Sequence, residues 1–260
     1  LTGFFMYMGF PYDRLAENLG REIEGGANVQ IRYGEVGPQI HWLGPAVAAT
    51  DLSVISDGVE SIRLDELSLR PAWSLSWFRG VPSVYVAATA DAARGNFEVT
   101  LDDPLHLRGE VQDLDLQQLP VPGALARASL AGTGELEFDL EKPAEGSWQG
   151  TARFSIQDGS FAPPDLGIAI PYSTLQSALT LGPDGFLELA DTRLDGPVVS
   201  GTATGRIAVF QEPGPLDVTL DFNANSPEIQ NALRENEIPV SNAGDGQVHF
   251  GGSLAKPIID

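Results

Sequence analysis

Cysteine is absent from the 260 residues, which excludes disulfides and thiolate-held zinc or iron–sulfur centres. Basic residues are scarce: 15 Lys and Arg stand against 36 Asp and Glu, a formal charge of -21. Phosphate-backbone binding needs clustered cations, so no nucleic-acid partner is expected, and a surface lying flat on anionic lipid is disfavoured. The acidic residues are spread along the chain rather than gathered in a tail, the pattern of a solvated outer face. Histidines are few, and His41, His106 and His249 lie far apart, without the close spacing of metal ligands. Neither a G-x-S-x-G elbow nor a Walker loop occurs. Asp102 and Asp103 precede Pro104 and read as a turn; Asp113 and Asp115 sit at a break in a strand pattern. Ser253 and Lys256 have the S-x-x-K spacing, but the flanking glycines and Pro257 point to a strand end rather than the helix that motif needs. No catalytic, cofactor-binding or metal-binding residue is singled out, and the expectation is a non-enzymatic protein without cofactors.

What the chain has is alternation. Hydrophobic residues make up 42%, enough for a packed core, and from Val29 onward they recur with period two. "SIRLDELSLRP" places Ile62, Leu64, Leu67 and Leu69 among polar partners. "GNFEVTLDD" sets Phe97, Val99 and Leu101 on one face, and "GELEFDLE" does the same with Leu136, Phe138 and Leu140. These six residues are the candidates for an apolar groove. In "PLHLRGEVQDLDL" the phase slips at Asp113, which reads as a bulge or strand end. Five Asp-Gly dipeptides, at 57, 158, 184, 195 and 245, suit tight hairpins. "LAGTGELEFDL", "SWQGTARFSIQDG", "VSGTATGRIAVF" and "NAGDGQVHFGGSL" form a loose repeat, each one strand added in series. In "SPEIQNALRENEIP", Ser226 suits an N-cap and Pro227 the first helical position, with Ile229 and Leu233 on one face. A weaker helix candidate covers "PAWSLSWFRG".

The start, "LTGFFMYMGFPYDRL", is apolar and uncharged as far as Phe10. It is shorter than the roughly 20 residues of a membrane span and lacks the basic leader of a signal peptide. It reads either as a buried strand or as the outer end of a membrane helix from a cut or processed chain. Phe4, Phe5, Tyr7, Phe10 and Tyr12 then stand as the aromatic belt and Pro11 as the exit. "YDRLAENLGREIEGG" continues with Leu15, Leu19 and Ile23 at helical spacing. The expected division is 1–24, an anchor end and short amphipathic helix, and 25–260, a β domain.

"GFPYDRL" after an apolar helix end, "LSLRPAWSLSWFRGVPSVYVAA" and the closing "GDGQVHFGGSLAKPIID" resemble the type II secretion system protein N (GspN-like) family, within the broader AsmA-like group. The resemblance runs over nearly the whole chain and rests on the order of short glycine-based motifs. It implies a bitopic protein of the bacterial inner membrane with most of the chain in the periplasm. The implied fold is mainly β, an elongated, twisted antiparallel sheet of serial hairpins with a membrane-helix end and a few short helices. It also implies a structural or assembly role in type II protein secretion, with the inner membrane and secretion-system or envelope proteins as partners. AsmA-like relatives imply an alternative, a lipid-binding or lipid-transfer module holding phospholipid acyl chains. A sheet with one apolar face needs a cover from helices, a partner, acyl chains or its own folding over.

Overall fold

The computed structural model describes residues 29–41, 44–56, 59–72, 79–118, 129–162, 169–208, 214–235, 241, 244–253 and 256–259. The anchor-end residues Phe4, Phe5, Tyr7, Phe10, Pro11 and Tyr12, the helix over 12–23 and most of "PAWSLSWFRG" lie outside them. Among the described residues no helix is long and apolar enough to cross a membrane.

Nearly everything described is antiparallel strand, as the alternation predicts. Contacts divide the chain into two compact units, 1–102 and 103–260. The first unit holds β1 (Val29–Arg32), β2 (Val36–His41), β3 (Gly44–Ser56), β4 (Val59–Pro71), β5 (Ser83–Ala90) and β6 (Ala93–Thr100). β3 to β6 pair in chain order, while β1 and β2 share the outer edge of β3. Gly34 bridges that pair of short strands by donating its N–H to the Thr50 carbonyl at 2.8 Å.

The second unit holds β7 (Leu105–Asp115), β8 (Ser129–Lys142), β9 (Gln149–Ala162), β10 (Ile170–Leu181), β11 (Phe186–Asp195), β12 (Val199–Ala208), β13 (Leu216–Ala224), β14 (Asp245–Ser253) and β15 (Lys256–Ile259). Each pairs with the next, so this unit is a series of hairpin-like neighbours. The four repeat segments fall on β8, β9, β12 and β14. Among the described residues the series is interrupted by one helix, α1 (Pro227–Glu235), between β13 and β14. The Ser226 carbonyl accepts the Gln230 N–H at 3.0 Å, which makes Ser226 the N-cap and Pro227 the first helical residue, as the sequence predicts.

The expected slip at Asp113 is a bulge: Val111 pairs with Leu136 but Leu114 with Gly134, and Asp113 has a φ of 54°. Asp51 and Asp158 also sit in strands with φ of 50° and 49°. A short side chain that bonds its own backbone lets Asp enter this left-handed region more cheaply than most residues. Two Asp-Gly pairs behave as hairpin turns. Gly185, with φ of 81°, closes the β10–β11 turn through its N–H to the Gly182 carbonyl at 3.0 Å, and Asp195-Gly196 opens the β11–β12 turn. Asp158-Gly159 lies inside β9 and Asp245-Gly246 starts β14, so these two are not hairpin turns. β9 runs on past Asp158 because its two neighbours continue to pair with it. Asp57-Gly58 is outside the described residues.

Among the described residues, fully buried apolar side chains are few. The largest cluster joins Val199, Phe222, Ala224 and Val248 of the sheet to Ile229 of α1. α1 thus lies on the sheet at the start of β12, the end of β13 and the start of β14, and it covers that end only.

Candidate functional site

Laterally paired residues of a sheet share a face, so the strand register assigns the paired residues of the second unit to a side. One row reads Leu107, Leu140, Gly150, Leu181, Leu187, Ile207, Leu216. The next reads Gly109, Phe138, Ala152, Leu179, Leu189, Gly205, Val218, Phe250. A third contains Val111, Leu136, Phe154, Ser177, and a fourth Leu114, Gly134, Ile156, Leu175, Leu194, Gly201, Phe222. These rows carry no charged residue. Where hydroxyls intrude they satisfy each other: Ser177, itself buried, is 2.5 Å from the Thr192 Oγ1.

The opposite face carries the charged residues of the strands. Glu110, Glu137 and Arg153 stand side by side, as do Glu188, Arg206 and Asp217. Arg193 donates to Asp195 at 2.7 and 3.0 Å. This bond raises the Arg193 pKa and holds the Asp195 carboxyl below its ordinary range. His249 lies 3.1 Å from the Asp217 carboxylate, and Gln247 donates to Asp221 at 2.6 Å. Glu135, Glu137, Arg153, Gln176 and Asp191 border a shallow depression on this side. The solvated-face reading of the acidic residues and of His106 and His249 agrees with this placement: His106 pairs with Glu141. Ser253 and Lys256 are register partners on the antiparallel strands β14 and β15, not residues of one helix. Among the described residues no group of three or more His, Asp or Glu is arranged to hold a metal ion.

The first unit repeats the division. Val47, Leu69, Val86 and Phe97 form one apolar row, and Val84 and Val99 pair beside it. On the other side Arg70 lies 4.0 Å from the centre of the Tyr85 ring, and the Tyr85 hydroxyl donates to Asn96 at 2.8 Å. On the apolar side large side chains reach solvent: Ile40 is 67% exposed, Leu101 50% and Leu69 37%.

Of the six groove candidates, Phe97, Val99 and Leu101 therefore belong to the apolar face of the first unit, and Leu136, Phe138 and Leu140 to that of the second. Each triple shares a face as the alternation predicts, and all are partly buried except Leu101, which is exposed. Sequence reasoning missed a feature at the margin of the second face. Lys142 pairs with Leu105, continuing the parity of Leu136, Phe138 and Leu140 to the strand end. Its Nζ lies 6.0 Å from the centre of the Trp148 ring. The signal was present in "LEFDLEK", where the next position after three apolar ones is a lysine. Comparison with protein-family models, with curated proteins and with solved structures finds no match for this chain.

Proposed function

We propose that this protein is a non-enzymatic lipid-binding module of the bacterial envelope that holds phospholipid acyl chains on the apolar face of its sheet. The observation that carries the reading is the row structure of the second unit. Four successive rows are apolar from strand to strand, the reverse face is charged, and α1 covers one end only. Such a face loses free energy when water leaves it, at about 25 cal/mol per Å² of apolar area. A protein partner ordinarily brings about one hydrogen bond per 100–200 Å², and these rows offer no free donor or acceptor side chain to meet it. Acyl chains need none. At about 3.4 Å per residue, Lys142 to Leu136 spans about 20 Å, more than the roughly 15 Å that a chain occupies in one leaflet of a bilayer.

The test is native mass spectrometry of protein purified without detergent, with organic extraction of whatever is bound. Phospholipid at near-stoichiometric amount is expected; a consistently lipid-free protein sinks the reading. A second reading, an inner-membrane-anchored structural or assembly component of type II secretion, is favoured by "GFPYDRL" following the apolar start. It predicts co-purification with inner-membrane secretion components and loss of exoprotein secretion on deletion. Unchanged secretion in the deletion strain rejects it.

A further inference from the structure

We infer that Lys142 and Trp148 form the head-group end of the acyl-chain face, where the Lys142 ammonium takes the phosphate of a phospholipid whose chains run toward α1. The inference rests on the acyl-chain reading above. Strand register puts Arg108, Arg153, Arg193 and Arg206 on the polar face. Lys142 is the cation that it puts on the apolar face of the second unit, among the described residues. It sits at the outer end of a row position, beside Leu105, with Leu140 and Phe138 following inward. It has no ion-pair partner among the described residues. Its sequence neighbour Glu141 points to the other face, where Gln149 donates to it at 2.6 Å.

Trp148 immediately precedes β9, and its ring centre lies 6.0 Å from the Lys142 ammonium. An indole with a polar edge and a lysine whose stem lies on apolar surface while its ammonium reaches water are the side chains that suit a boundary between hydrocarbon and head group. The far end of the same face has the opposite character: Ile229, Phe222, Val199 and Val248 close it without a charge. One cationic end and one dry end match the two ends of an amphiphile. Asp103, which accepts the Ala144 N–H at 3.1 Å, and the exposed Glu145 border the cationic end. A zwitterionic head group, with an amine beside its phosphate, meets less repulsion there than a purely anionic one.

The experiment measures uptake from phosphatidylcholine vesicles doped with one of two acyl-labelled fluorescent lipids, phosphatidylethanolamine or diacylglycerol, which differ only in the head group. Lys142→Gln is expected to lower phosphatidylethanolamine uptake about tenfold, the weight of one charge-assisted contact, while diacylglycerol uptake holds. Lys142→Arg, which keeps the charge, should retain both. If Lys142→Gln changes neither lipid, or both equally, or if wild type takes up diacylglycerol alone, the head-group assignment is overturned while the acyl-chain reading stands. If wild type takes up neither lipid, both fall together.

Discussion

Two glycines work through close approach to an aromatic ring. A Cβ on Gly159 would lie 2.2 Å from Cζ of Tyr172, whose ring covers it and whose hydroxyl donates to the Ala131 carbonyl at 3.1 Å. Gly159→Ala should therefore cost about 2 kcal/mol of stability, as overpacking does, and denaturant unfolding measures it. In a Tyr172→Ala background the same substitution should cost close to nothing, which a double-mutant cycle reads as coupling. On the first unit the Phe97 ring lies over Gly95, where a Cβ would meet Cζ at 2.4 Å. Burial raises the Tyr172 pKa above its ordinary 10.0. The folded state thus favours the protonated phenol. Its contribution is intact below the unfolded phenol's pKa and is lost as pH rises through the higher folded value. In a near-ultraviolet titration Tyr172→Phe should remove the phenol that ionises above the ordinary range; a curve that loses an ordinary phenol instead contradicts the assignment.

At the scale of elements, α1 and the bulges decide how the second unit is finished. A nine-residue helix is marginal alone, so α1 stands because Ile229, 5% exposed, docks among Val199, Phe222, Ala224 and Val248. The Gln230 side chain also donates to the Ala224 carbonyl at 2.7 Å. Ile229→Ala should cost about 2–4 kcal/mol and speed amide exchange in α1 ahead of β8 and β9; uniform exchange would show that α1 is not separately held. The bulge at Asp113 gives a sharper contrast. With φ of 54°, Asp113→Gly should be neutral or slightly stabilising, whereas Asp113→Val should lose about 1–2 kcal/mol. Thermal melts distinguish the two.

For the whole molecule, each unit carries a charged face and an apolar one. In the first unit Leu101, half exposed, has little folding work to do, so Leu101→Asp should shift stability by no more than about 0.5 kcal/mol. The same change should reduce binding of a solvatochromic apolar dye to the folded protein, because it places a charge on the apolar side. A large loss of stability with dye binding intact would mean that this side chain serves the core instead.

Much of this was legible in the sequence because a strand's side-chain period is two. The apolar sets Phe97, Val99, Leu101 and Leu136, Phe138, Leu140, the slip at Asp113, and the α1 start at Ser226 and Pro227 all follow from local pattern and capping chemistry. By itself the sequence determined a mainly antiparallel β chain with one apolar face per strand and an acidic exterior. Which residue stands beside which was decided by the tertiary structure, since cross-strand register depends on bulges and turn lengths that alternation leaves open. Register kept Asp158-Gly159 inside a strand and seated Tyr172 over it. It also aligned single apolar faces into continuous rows and set Lys142 at their margin.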